Sequence, residues 1–108
     1  MRRRVVITDD ARQDLAALYD YIADTSSPAH ADRIADRLLV LAASLAQYPE
    51  RGSRPRELAT LGHLQYRQVM FKPWRLIYDV DESRVVVYLI ADARRDMRGL
   101  LAQRLLGA

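Results

Sequence analysis

The stretch "YRQVMFKPWRLIYDVDESRVVVYLIADARRDMRGLL", Tyr66 to Leu101, decides the fold. It reads as strand, turn, strand, turn, strand and then helix, with strands near Leu64–Phe71, Trp74–Val80 and Arg84–Ala91. In the second strand Trp74, Leu76, Tyr78 and Val80 share one parity, and Arg75, Ile77 and Asp79 the other. In the third strand both parities are apolar, Val85, Val87 and Leu89 against Val86, Tyr88 and Ile90. A strand apolar on both faces is central or covered on both sides. Met97, Leu100, Leu101 and Leu105 give the last helix an apolar face. Arg67, Arg75, Arg94, Arg95 and Arg98 punctuate the stretch. A sheet decorated in this way could grip a phosphate backbone and cut RNA, or it could present a surface to another protein.

Upstream, "RRVVIT" (Arg3–Thr8) is β-rich and short enough for one strand. Thr8 or Asp9 caps a helix whose acidic first turn suits its dipole. Leu15, Leu18, Tyr19 and Ile22 fall at i, i+3, i+4 and i+7 on one face. Thr25, Ser26 and Ser27 break that helix, and Pro28 opens the next at its first position. The second helix runs to about Tyr48, where Pro49 stops it, with Ile34, Leu38, Leu41 and Leu45 as its main stripe. Leu39 and Val40 widen the apolar surface beyond that stripe. "PERGSRPRELATLGH" reads as a loop. The order β-α-α-β-β-β-α predicts an α+β fold in one domain over residues 1–108. Its N-terminal strand and helical hairpin pack on a small, antiparallel-rich sheet, with a C-terminal helix.

The 108 residues are 50% hydrophobic and 29% charged, an ordinary globular balance. Without cysteine there is neither a disulfide framework nor a thiolate metal site. No apolar run approaches the ~20 residues that span a bilayer, and "VVI" is far too short for a signal peptide. A cytoplasmic protein is expected. The net charge of +3 is uneven: residues 1–48 hold six basic and seven acidic residues, residues 49–108 eleven and seven. The basic half fits either a solvated surface or an acidic partner.

No metal or other cofactor is expected. His30 and His63 are far apart, and neither belongs to a ligand-spaced cluster. Gly52 is isolated, so no phosphate-cradling loop is present. Metal-free RNA cleavage needs a base for the 2′-OH, a stabiliser of transition-state charge and an acid for the leaving oxygen. Arginine serves the second role through bidentate contacts but not the others, because its pKa lies above about 12. Acid and base would have to come from Lys72, His63, Asp92, Asp96 or Tyr88. Tyr88 in a central strand is more often core, and Asp92 and Asp96 are more often arginine partners or helix caps. No catalytic residue is assigned.

These features together resemble the RelE/ParE superfamily of bacterial type II toxins along nearly the whole chain. The resemblance is carried by the helical hairpin, "GSRPRELATLG", "YR…PWRLIYDV" followed by "VVVYLIADARRD", and the last helix. It implies the α+β fold, growth inhibition, plasmid stabilisation and a cognate antitoxin. RelE-like toxins cut mRNA on the ribosome; Arg75 and Arg95 resemble their phosphate-holding arginines. Such toxins also carry basic residues on the first hairpin strand and a tyrosine or histidine near the C-terminal end. Here Arg67 is followed by Val69, and Leu100 or Leu101 occupies the C-terminal position. Neither leucine can move a proton. ParE-like toxins share the fold, lack the RNase residues and poison DNA gyrase, and the long hairpin helices resemble theirs.

The resemblance therefore implies a gyrase-directed toxin, with a ribosome-dependent mRNA endonuclease and a non-toxic antitoxin-binding module as alternatives. Arg67, Arg75, Arg94, Arg95, Arg98 and Arg104 are the candidate target contacts. Salt bridging to Asp79, Asp92, Asp96 or Glu57 is the competing reading for Arg67, Arg75, Arg94 and Arg95. Leu15, Leu18, Tyr19, Ile22, Leu38, Leu39 and Val40 are the candidate antitoxin contacts, since apolar surface beyond what a sheet covers calls for a partner. Packing of Leu39 and Val40 on neighbouring loops is the alternative.

Overall fold

In the computed structural model, which describes residues 2–107, the hairpin of the quoted stretch forms between β2 (Tyr66–Phe71) and β3 (Trp74–Val80). β4 (Arg84–Asp92) returns antiparallel along β3, and β1 (Arg4–Ile7) runs parallel to β4. The sheet order is β1-β4-β3-β2, so β4 is interior, as its two apolar parities require. The helices α1 (Asp9–Thr25) and α2 (Pro28–Ser44) cover one face. The short α3 (Arg56–Ala59) and α4 (Met97–Leu106) cover the other. β3 serves both sides by alternation, sending Leu76 and Tyr78 under α1 and α2, and Ile77 under α4.

Local chemistry sets the helix starts. Thr8 Oγ1 accepts from the Ala11 amide at 3.1 Å, Ser27 Oγ from His30 at 3.1 Å, and Asp96 Oδ1 from Gly99 at 3.2 Å. Each satisfies an amide that the first helical turn leaves without a partner. Gly107, at φ 71°, ends α4 in the left-handed region that glycine adopts most readily.

The structure departs from the sequence expectation in four places. α2 stops at Ser44 rather than Tyr48, where the bonding tightens as the Leu45 and Ala46 amides donate to the Ala42 and Ala43 carbonyls, both at 3.1 Å. The first hairpin strand begins at Tyr66, two residues later than expected. The segment read as a loop contains α3, whose Leu58 is 1% exposed beneath α4. The strict alternation that sets Val85, Val87 and Leu89 against Val86, Tyr88 and Ile90 in β4 is also broken. Ile77 pairs with Leu89 and Tyr78 with Val87, so Tyr88 is an extra residue. That bulge swaps the faces: Val85, Val87 and Ile90 point to α1 and α2, while Leu89 and Ala91 point to α4.

A buried phenol ties the loop before α3 to the sheet. Tyr78 Oη donates to the Pro49 carbonyl at 2.7 Å and accepts from the Gly52 amide at 3.0 Å. A Cβ at Gly52 would lie 2.4 Å from the Gln68 carbonyl oxygen and 2.6 Å from Tyr78 Oη. Glycine is therefore required there for close approach. Among the described residues no helix is long and apolar enough to cross a membrane.

Candidate functional site

The candidate arginines divide by what lies opposite them. Arg75 projects from β3 toward the α3–α4 side and is 6% exposed. Its Nη1 and Nη2 donate to Glu57 Oε2 and Oε1, both at 2.9 Å, and its Nε donates to Gln68 Oε1 at 2.8 Å. Hydrogen bonds from Arg75 hold the Glu57 carboxyl at about 2, below its ordinary 4.5, against an opposing push from burial. Arg75 thus does not belong to an exposed contact surface: α3, which the sequence reading missed, delivers its counter-ion.

Arg104 is also held internally. Its Nη1 and Nη2 donate to Asp14 Oδ2 and Oδ1 at 2.9 Å, and Nη1 also reaches the Tyr88 carbonyl at 2.8 Å. Asp14 Oδ2 in turn accepts from the Ile90 amide at 3.0 Å. β1 pairs with β4 only as far as Val87, and the bulge follows at once. Asp14 and Arg104 satisfy backbone groups of β4 beyond the end of β1, and they join α1, β4 and α4. Arg104 is therefore another correction to the contact set.

Arg67, on β2, lies on the opposite face of the sheet from Arg75 on β3. It donates to the Gly52 carbonyl at 2.9 Å and the Glu50 carbonyl at 3.3 Å. The β2 neighbours of Arg75 are instead Met70, its cross-strand partner, and Gln68. Neither is ionisable. Leu101 is fully buried against Leu58, Ile77 and Leu89, and Leu100 is half-buried beside them. Burial pushes the Tyr88 phenol above its ordinary value. Asp96 caps α4, and Asp92 pairs with Arg94. Arg75 is thus held by Gln68 and by Glu57, whose carboxylate, kept at about 2, is a poor proton acceptor.

Arg94, Arg95 and Arg98 are different. All three are exposed, in the Ala93–Asp96 connection and the first turn of α4. Arg94 chelates Asp92, with Nη2–Oδ2 at 2.5 Å and Nε–Oδ1 at 2.9 Å, while its side chain stays 78% exposed. That contact lowers the Asp92 carboxyl below its ordinary range. Arg95 and Arg98 make no ion pair among the described residues. These three form an exposed basic cluster where β4 passes into α4.

On the helical face the seven apolar candidates also separate. Leu18, Ile22 and Leu38 point at the sheet and are 7%, 6% and 1% exposed, so they are core rather than partner contacts. Leu15 and Tyr19 are half-buried and join Ile7, Ala16, Ala35 and Leu39 in a shallow groove of about 390 Å³. Tyr19 Oη donates to Asp32 Oδ1 at 2.7 Å and braces α1 against α2. Leu39 and Val40 stand 43% and 67% exposed, so neither is covered by a loop. A second hollow, of about 410 Å³, lies on the other flank of α1 between Ala17, Leu18, Tyr21, Trp74 and Ile90. Sequence reasoning missed it, because it exists where β1 ends short of β4.

Comparison with known proteins agrees with this architecture. Residues 5–97 match the family model described as the ParE toxin of the type II toxin-antitoxin system parDE. "Toxin RelE2" of Caulobacter vibrioides is 41% identical over 92 residues, which is 85% of this chain and 97% of that protein. Among solved structures, the chromosomal ParDE system from P. aeruginosa superposes with a TM-score of 0.71 at 19% identity, over 84% of this chain and 96% of that one. The RelBE2 toxin-antitoxin complex of Mycobacterium tuberculosis gives 0.63 at 23% identity, over 85% and 99%. At those identities the two structures speak to the fold alone.

Proposed function

The chain belongs to the ParE toxin family of type II toxin-antitoxin systems, and from that premise we propose that it acts in the cytoplasm by poisoning DNA gyrase. The observation that carries this reading is the surroundings of Arg75. Its guanidinium is held by Glu57 and Gln68, and α4 presents the buried Leu101 to the same side of the sheet. RNA cleavage without a metal needs an acid and a base within hydrogen-bond reach of the reacting groups. On this face the carboxylate bonded to the guanidinium, Glu57, is held at about 2, too weak a base to take the 2′-OH proton. What remains for function is contact. Arg94, Arg95 and Arg98 form a basic patch on an ordered support, suited to an acidic protein surface or to DNA held by an enzyme.

A cognate antitoxin is the expected partner, with an amphipathic helix on the outer α1–α2 face. The support is the exposure of Leu39 and Val40 beside the groove lined by Leu15 and Tyr19. The alternative, an mRNA endonuclease working on the ribosome, draws on the 41% identity to a protein named RelE2.

Expression without antitoxin tests the choice. Growth should stop with DNA-damage signalling, and Arg95→Glu combined with Arg98→Glu should relieve the arrest in a protein that still folds. Codon-boundary cuts in translated mRNA would transfer the assignment to the alternative. Antitoxin binding without a growth defect at any expression level would leave an interaction module.

A further inference from the structure

We propose that the outer edge of β1, with the groove that opens beside it, is an interface for a second copy of this chain. The two copies pair their β1 strands antiparallel about a two-fold axis at Val6. The inference goes beyond the functional reading and does not depend on the target.

The backbone leaves a defined gap. The Arg4 and Thr8 amides donate to the Ser83 and Val87 carbonyls, so even-numbered residues of β1 turn their main-chain groups to β4 and odd-numbered ones turn theirs outward. The Arg3 amide is taken by the Ala46 carbonyl at 2.8 Å, and α1 starts at Asp9. Between those stops, the outward groups of Val5 and Ile7 have no hydrogen-bond partner among the described residues. An unpaired strand edge is a template for another strand. This one is only two rungs long, and a two-fold axis at Val6 fills it. Val5 then lies opposite Ile7 of the copy and Ile7 opposite its Val5, each pair exchanging both main-chain hydrogen bonds. Val6 is half-buried and belongs to neither apolar cluster. Across the axis it meets its own counterpart, on the face of the sheet away from α1 and α2.

Charge selects both the occupant and its direction. Arg2, Arg3 and Arg4 precede the open rungs, and Asp9 and Asp10 follow them. A copy running parallel would set arginine against arginine, whereas the two-fold sets the basic end of each strand beside the acidic start of the other α1. Arg3 already donates to the Asp81 carbonyl, and Asp10 lies 3.9 Å from Arg104 with 64% of its side chain exposed. Arg4 and Asp9 are exposed. The groove repeats the pattern. It begins at Ile7 and runs along α1, and its charged lining residues are Arg12 and Asp20, both exposed. They stand about 12 Å apart along the helix axis, so an axis passing near Ala16 brings Arg12 of each copy to Asp20 of the other. A two-rung ladder, an apolar groove and two such charge pairs make a small interface, and hence a weak, concentration-dependent dimer. An antitoxin helix in the same groove would exclude the copy, so the dimer is a state of the chain without that partner.

The test is sedimentation equilibrium of the purified full chain alone, at concentrations from about 10 to about 500 µM, with a reversible monomer–dimer equilibrium of Kd about 100 µM expected. In the ¹⁵N-labelled chain, the Val5 and Ile7 amides should shift most over that range, and Arg4, Val6 and Thr8, which face β4, should shift less. Arg12→Asp and Asp20→Arg should each raise the Kd several-fold, since each sets like charges across the axis. The double variant, Arg12→Asp with Asp20→Arg, should restore it, because the exchanged charges still meet. If a variant melts early, the wild-type amide shifts alone decide. A chain that stays monomeric at the highest concentration overturns the proposal, as does a dimer whose shifts centre away from β1. Folded single variants that dimerise like wild type, or a folded double variant that stays as weak as the singles, overturn it as well. No antitoxin, gyrase or ribosome enters the test, so its failure leaves the functional reading standing.

Discussion

Arg75 and Arg104 meet carboxylates inside the fold, whereas Arg95 and Arg98 meet solvent, and that difference separates folding from function one side chain at a time. Replacing Arg104 with leucine strands the half-buried Asp14 and frees the Tyr88 carbonyl. The loss should be about 2 kcal/mol, in the range of hydrogen bonds to charged groups. Arg98→Glu, by contrast, should stay within about 0.5 kcal/mol, as surface changes do. Urea melts of the two variants check both figures. Glu57 adds a pH signature. Its folded value of about 2 lies below the ordinary 4.5, so the pair contributes fully above 4.5 and loses its contribution as the pH falls through 2. Wild type should exceed Glu57→Gln by about 2 kcal/mol at neutral pH. The gap should be constant above 4.5 and should close between 4.5 and 2. A gap that widens in acid would contradict the assignment of that carboxyl.

At the level of elements, α2 tests how a wide apolar surface is shared. Leu38 faces the sheet, and Leu39 and Val40 face away. Leu38→Asp should unfold the chain, since an unpaired charge in the core costs several kcal/mol. Leu39→Asp and Val40→Asp should leave the melt near wild type and weaken antitoxin capture by about 2 kcal/mol, roughly thirtyfold, in a calorimetric titration. Gly52→Ala should cost about 1–3 kcal/mol, because the added methyl overlaps the Gln68 carbonyl and the Tyr78 hydroxyl. The regular elements were legible beforehand because their signals are local: alternation in β3, the i, i+3, i+4 stripes of α1 and α2, and the caps at Thr8 and Ser27. The bulge at Tyr88 was not, since Val85 to Ile90 are apolar on both parities and give no sign of a face change. α3 was not, since four residues carry too little periodicity. The Asp14–Arg104 clamp joins residues 90 positions apart, a separation at which single-sequence patterns are silent. The α1–β4 hollow is likewise a product of strand lengths rather than of any motif.

Across the whole molecule, one sheet separates two surfaces. The α1–α2 side leaves Leu39 and Val40 exposed, and the end of β4 with the start of α4 exposes arginines. The excess of positive charge in residues 49–108 reaches the exterior mainly where it is not cancelled by Glu57, Asp14 or Asp92. A toxin acting by contact should depend on ionic strength at that basic patch, because exposed charges are screened within about 8 Å at physiological salt. One paired assay tests gyrase poisoning most directly: purified toxin added to gyrase supercoiling of plasmid DNA, and to ribosomes translating a defined mRNA. Inhibition of supercoiling with accumulation of cleaved plasmid, and intact mRNA, is the predicted result. Intact gyrase activity together with reproducible ribosome-dependent cuts in the mRNA would contradict it.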